Sequence, residues 1–238
     1  MKAHWAIPFV AVEWIWQWLA YVLSNWSFIE VLEYLGSFSV LIAVIFYYTE
    51  SGDRLKQKHY QAWQVINTAQ GHGGSGGRLE ALQELNADGI SLVGVDVSTA
   101  YLQGIQLGKA RLVRANFSAA DLRDSNLRNV DLDNGNLRAA NLRGSDLSET
   151  SLHDADFTES DLTDASLAGA DLSGAVLDAA DLSNVNLQGV KWQQIRSIAK
   201  ANIDGVRNAP DGFVVWALKH NAERTSSPVE AANSSALK

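Results

Sequence analysis

The sequence predicts an all-β solenoid of four-sided coils, preceded by apolar helices and followed by a short capping helix. Three observations carry that prediction. One apolar position recurs every five residues from Leu92 to Trp192, the first fifty residues are almost free of charge, and the 238 residues include no cysteine. The last removes disulfide staples, thiolate nucleophiles and Cys-based metal sites together. With 27 acidic and 19 basic side chains the net charge is -8. That argues against direct, sequence-independent nucleic-acid binding, which needs Lys and Arg to meet phosphates.

Residues 1–50 read as a membrane anchor of one or two helices. Their first 48 positions hold only Lys2, Glu13, Glu30 and Glu33 as charges, and two apolar stretches, Trp5–Leu23 and Phe28–Tyr48, are parted by Ser24–Ser27. The second approaches the ~20 residues that span a bilayer, with Trp26 and Tyr47-Tyr48 at the places of an aromatic belt. The first is crowded with Trp5, Trp14, Trp16 and Trp18. It fits either the other arm of a hairpin or a helix lying at headgroup level. Arg54, Lys56 and Lys58 follow the second stretch, so the positive-inside rule puts everything after residue 50 in the cytoplasm. Glu30 and Glu33 have two readings. They are an intramembrane pair facing a partner subunit, or first-turn residues favoured by the helix dipole.

Residues 51–88 read as a juxtamembrane helical connector. Leu55, Ala62, Trp63 and Ile66 share a helical face, Gly71–Gly77 forms a joint, and Arg78–Leu85 resumes as a helix. The joint matches G-x-G-x-x-G in form, but no strand precedes it and no βαβ unit follows. A helix–helix joint, with Ser75 or a glycine as the cap, explains it.

Residues 89–206 carry the repeat. Two positions before each recurring Leu or Phe stands a small or short residue, such as Ala100, Ala120 or Ala140, with Ile90 and Ile105 as the bulky exceptions, and just before it stands Asp or Asn in most units. A period of five is neither helix nor strand, and an internal repeat of this kind means a solenoid. The small residue and the Leu point inward, and the remaining residues turn a corner. Four units close one coil of twenty residues, and coils stack at the ~4.8 Å strand spacing. Positions twenty apart then share a face, as in Ser91, Arg111, Asp131, Ser151, Asp171, Lys191 and in Gln103, Arg123, Arg143, Thr163, Ser183. Past Trp192 the phase slips by one residue. Residues 207–220 suggest a short helix that either caps the last coil or makes a homodimer, and 221–238 read as a disordered tail.

The A(D/N)LXX pattern over about 100 residues resembles the pentapeptide repeat family. That resemblance implies a right-handed quadrilateral β-helix. The preceding apolar segment resembles the anchor of a bacterial subgroup of that family with no known activity, which implies a location at the bacterial inner membrane. Some members mimic DNA toward type II topoisomerases.

No catalytic, cofactor or metal constellation is visible. The five histidines lack ligand spacing, and the aspartates recur with the lattice. Charge is the informative feature. Lys109–Arg143 holds seven basic residues, and Glu149–Asp181 holds nine acidic and no basic ones. The sequence therefore predicts a non-enzymatic, membrane-tethered scaffold or accessory subunit that binds another protein, a membrane complex, besides the lipid bilayer. Its candidate partner-binding residues are Arg123, Arg143, Asp156, Asp161, Asp164 and Asp178, with Glu30 and Glu33. Two alternatives stand beside it. One is an acidic DNA mimic that modulates a DNA-binding enzyme. The other is a regulatory subunit of a channel or transporter, recognised through its membrane helices.

Overall fold

The computed structural model describes residues 7–25, 28–68 and 76–224. The chain divides into two units, Met1–Lys58 and His59–Lys238.

The first unit contains helix α1 (Ile7–Asn25) and most of helix α2 (Phe28–Thr68). Pro8 sits in the first turn of α1, where a missing N–H costs nothing. Buried-type side chains lie on the outside here: Trp14, Trp16, Trp18, Phe38 and Phe46 are exposed. The predicted bilayer span and the membrane location built on it are corrected by this unit. Among the described residues no helix is long and apolar enough to cross a membrane. The stretch Phe28–Tyr48, on which the expectation rested, is interrupted by Glu30 and Glu33, and its uncharged run Tyr34–Tyr48 has only 15 residues. The helix does not stop at Tyr48 but continues through Asp53, Arg54 and Lys56. The cytoplasmic orientation of the solenoid, derived from that span, goes with it.

The second unit is built on the solenoid. Parallel bridges join residues twenty apart, from Asp96↔Asn116 to Asp171↔Lys191. Each side of a coil is a single bridged residue rather than a strand, because the chain turns every five residues. The Leu102 N–H donates to Asp121 O (2.8 Å) and the Asp121 N–H to Ala100 O (2.9 Å), so each coil is tied to its neighbours on every side. At each corner the second residue after the central Leu has positive φ: glycine at Gly104, Gly144 and Gly174, but Lys109, Ala139, Glu149 and Asp164 elsewhere. The Ala140 N–H closes the turn onto Leu137 O (3.1 Å), as in turns whose third residue must be left-handed. From Leu92 to Leu187 every fivefold position is at most 1% exposed. Two inward serines satisfy their hydroxyls locally, Ser125 and Ser145 donating to Leu122 O and Leu142 O at 2.6 Å, whereas the buried Ser160 hydroxyl has no partner among the described residues.

Helix α3 (Arg78–Ala87) covers the first coil. Gly77, with φ 82°, is its N-cap, and Ser75 lies outside the described residues, as does most of the glycine joint. Leu82 and Leu85 join Ala62 and Ile66 of α2 in one core with Leu92. Gln83 Oε1 accepts the Gln106 N–H at 2.8 Å, and Asn86 Nδ2 donates to Gly108 O at 3.3 Å. These two bonds occupy backbone groups that the first coil would otherwise leave open.

The far end departs from the twenty-residue spacing, first through one extra residue after Trp192. Bridges become 21 apart at Val176↔Ser197, Asp181↔Asn202 and Asn186↔Arg207, and a last one joins Asn202 to Glu223. The phase slip is therefore a bulge, after which stacking resumes. Trp192 leaves the core at this point and packs against Phe213 and Trp216, with ring centres 5.7 and 5.4 Å away. Helix α4 (Phe213–Lys219) turns Phe213 and Ala217 inward. Its apolar face is thus used within the chain, as a cap. The Glu223 N–H then donates to Ala201 O (2.7 Å). Residues 221–224, expected in the tail, complete the last coil; residues 225–238 lie outside the described ones.

Candidate partner-binding surface

The outward side chains of the solenoid are set by the same lattice as its core. Where Asp or Asn precedes the central Leu or Phe, its side chain accepts the N–H two residues on: Thr158 N to Asp156 Oδ1 is 2.9 Å, Thr163 N to Asp161 Oδ1 is 3.0 Å, and Arg143 N to Asn141 Oδ1 is 3.2 Å. These side chains hold the start of each corner. Where an Asn stacks on an Asn or Asp of the coil below, its amide also ladders, as Asn136 Nδ2 to Asn116 Oδ1 and Asn116 Nδ2 to Asp96 Oδ1, both 3.1 Å.

The basic and acidic halves of the sequence interlock. Arg128 pairs with Glu149 (2.6 Å), Arg138 with Asp156 (3.3 Å), Arg143 with Asp161 (3.8 Å) and Lys191 with Asp171 (2.9 Å), while Arg196 pairs with Asp154. Five of the nine acidic residues between Glu149 and Asp181 are neutralised this way. Only Lys191–Asp171 follows the twenty-residue column; Arg128, Arg138 and Arg143 reach diagonally over 21 or 18 positions and Arg196 over 42, which a comparison of residues twenty apart does not show.

Each predicted site residue can now be placed. Arg123 is locked to Asp121 of its own unit through Nε (2.8 Å) and Nη2 (2.6 Å), and also reaches Gln103 Oε1 at 3.4 Å. That fork holds the Asp121 carboxyl below the usual range. Arg143 stacks one coil above Arg123 but turns to Asp161. Asp156 serves Thr158 and Arg138; burial would raise its pKa, yet those bonds draw it down. Asp178 accepts from Ser197 Oγ and from the Ala199 N–H (2.8 Å), across the bulge. Only Asp164 stands exposed with no side-chain partner among the described residues, and the neighbouring corner adds Glu159 in the same state. The backbone of Glu30 and Glu33 belongs to α2, and their side chains lie outside the described residues.

Asp171 was not singled out in the sequence. Its burial alone would raise its pKa, but bonds from Ser173 and Lys191 and the charge of His153 bring it to about 2. The signal was present in the column Asp171–Lys191. Along another side, Ser148, Ser166, Ala168 and Gly169 leave a shallow concavity of about 510 Å³ beside the Arg128–Glu149 pair. Among the described residues no group of His, Asp and Glu is arranged to hold a metal ion.

Residues 100–177 match the family model described as the pentapeptide repeat region. Among solved structures, the chain is similar to Rfr23, a pentapeptide repeat protein from the cyanobacterium Cyanothece 51142, at 30% identity over 37% of this chain and 60% of that one, with a TM-score of 0.37. It is similar to HetL, a pentapeptide repeat protein involved in heterocyst differentiation regulation from Nostoc sp. strain PCC 7120, at 28% identity over 48% and 62%, TM-score 0.19. A pentapeptide repeat protein of the Arabidopsis thaliana thylakoid lumen is 27% identical over 57% and 81%, TM-score 0.21. The chain thus spans about 60% of the length of the first two. No curated protein matches it.

Proposed function

Since the chain carries a pentapeptide repeat region at residues 100–177, we propose that it is a non-enzymatic scaffold that binds another protein on the solenoid surface. The observation that carries the reading is the surface itself. Tied on every side by backbone hydrogen bonds, it presents side chains at fixed spacings, so little ordering entropy is lost when a partner docks. The right-handed quadrilateral form implied by the family belongs to the same reading.

Glu159 and Asp164 are the recognition elements of this proposal, on adjacent corners of one coil. Their charge is not spent inside the chain, so it is free to steer and orient a basic partner surface. An acidic DNA mimic would present the whole run Glu149–Asp181 as free charge. The cross-coil arginines and lysine cancel that resemblance, and the protein-scaffold reading is the better supported.

The test is capture with the full chain carrying a cross-linker, comparing wild type with a Glu159→Gln, Asp164→Asn double variant and with Arg123→Gln. The acidic double variant is expected to lose the partner, more so at low salt where charges are less screened. Arg123→Gln should retain it. Undiminished capture by the double variant would move recognition off the solenoid's acidic corners and refute this assignment.

A further inference from the structure

The ladder ends at the first coil, where the Asp96, Tyr101 and Arg111 N–H groups donate to no group among the described residues. In the coil above it, the residue before each central Leu donates its N–H to the coil below: Asn116 to Val95 O (2.8 Å), Asp121 to Ala100 O (2.9 Å) and Asn126 to Ile105 O (2.9 Å). By the same rule Arg111 should donate to Ile90 O. It does not, and its N–H donates to no group among the described residues. The cause is the end of α3. Gly89, with φ 70°, lets the Ile90 N–H fold back to Leu85 O (2.8 Å) and the Gly89 N–H to Asn86 O (3.0 Å). That is the pairing of a Schellman turn. Asn86 then ties this turn to Gly108, and the His59 ring is bonded to Asp88 at 2.8 Å. So held, Ile90 stands away from Arg111.

The gap is a cleft of about 420 Å³, lined by Ile90, Ser91, Gly108, Lys109 and Arg111 together with the end of α3. That volume lies within the range of small-molecule sites. Lys109 and Arg111 are exposed and have no ion-pair partner among the described residues. No acidic side chain lines the cleft. The C-terminal dipole of α3 opposes an anion here, but the Schellman bonds already engage the Leu85 and Asn86 carbonyls. The residues lining this concavity bring three donors to it: a backbone amide that the lattice leaves open, a guanidinium and an ammonium.

We infer that this cleft binds a small oxyanion, the carboxylate or phosphate group of a small molecule, between the Arg111 amide and the Lys109 and Arg111 side chains. The site is separate from the acidic corners and does not depend on the scaffold reading. Charge-assisted hydrogen bonds are the strong ones, and Arg presents a planar fork that matches both anions. Ile90 supplies an apolar wall for the rest of the ligand.

The test is amide NMR of the full chain titrated with inorganic phosphate and, separately, with succinate. The Arg111 amide is expected to shift saturably with at least one of them, and the arm that binds more tightly tells phosphate from carboxylate recognition. Lys109→Asn keeps a residue suited to the left-handed corner, and with Arg111→Gln it should weaken binding by about tenfold or more. Asp131 is bridged to Arg111 one coil above, so Asp131→Asn should tighten binding. Arg143→Gln, on another side, should leave it unchanged. If the double variant melts below wild type, Arg111→Gln alone carries the comparison. An unmoved Arg111 amide with both anions, or equal affinity in Arg111→Gln and Arg143→Gln, overturns the inference.

Discussion

Asp171 accepts from Lys191 one coil above and from Ser173 in its own unit, and it faces His153 one coil below at 3.4 Å. Its pKa of about 2 lies below the unperturbed 3.8, so folding favours the charged form. The stability it contributes is present above pH ~4 and is lost as pH falls toward ~2. Thermal melts should therefore show wild type ahead of Asp171→Asn at pH 5, with the gap closing by pH 2. A gap that stays constant over that range would mean that the carboxylate charge is not what stabilises the coil. The residue scale also shows where pattern stops informing. The small inward position is Ala115, Ala155 and Ala175 on one side but Gly135 between them. There a Cβ would stand 2.9 Å from Leu132 O and 3.2 Å from Leu132 Cδ2. The repeat announces a small residue at this place. Only the backbone approach explains why it has no side chain at all.

Among the elements, the coil was the most legible, because one fivefold beat fixes the inward residues, the corners and the stacking register together. The ends were harder. The slip after Trp192 is visible in the sequence, but not that Glu223 stacks on Asn202, 21 residues before it, so that residues 221–224 belong to the last coil and not to the expected tail. The stitches of Gln83 and Asn86 were invisible because they depend on how α3 lies over the first coil. The apolar helices of the first unit are legible as helices, but apolar composition alone does not make a membrane span of them. The bulge also bears on register. It lies at the last coil, where only a cap follows and Trp192 can leave the core to meet α4. An insertion after Leu142 would meet a full coil on both sides and would put side chains out of column in each direction. Removing Leu112–Asp131 takes out one complete coil and returns every remaining residue to an equivalent place. The deletion should keep a cooperative melt, while the insertion should melt lower. The reverse order would refute the twenty-residue coil as the unit of stability.

Over the whole solenoid, charge and stability are carried by different groups. The sequence suggested a basic near half and an acidic far half, and in the fold the two meet in pairs such as Arg128–Glu149 and Arg138–Asp156. These pairs sit at the surface, with both partners of Arg128–Glu149 52% exposed. Exposed pairs contribute ~0–1 kcal/mol each and weaken with salt. Against that stand the inward columns, where truncating one central Leu such as Leu142 to Ala costs ~2–5 kcal/mol through transfer and cavity effects, and backbone ladders on four sides. Salt also screens the self-repulsion of a chain with net charge -8, which works in the stabilising direction. The two effects of salt oppose one another, and neither touches the core. The thermal midpoint of the full chain should therefore move by less than about 5 °C between 0.05 and 1 M NaCl, a shift worth roughly 1–2 kcal/mol for a domain of this size. A much larger fall at high salt would make the cross-coil pairs, rather than the columns of leucine, the contacts that hold one coil to the next.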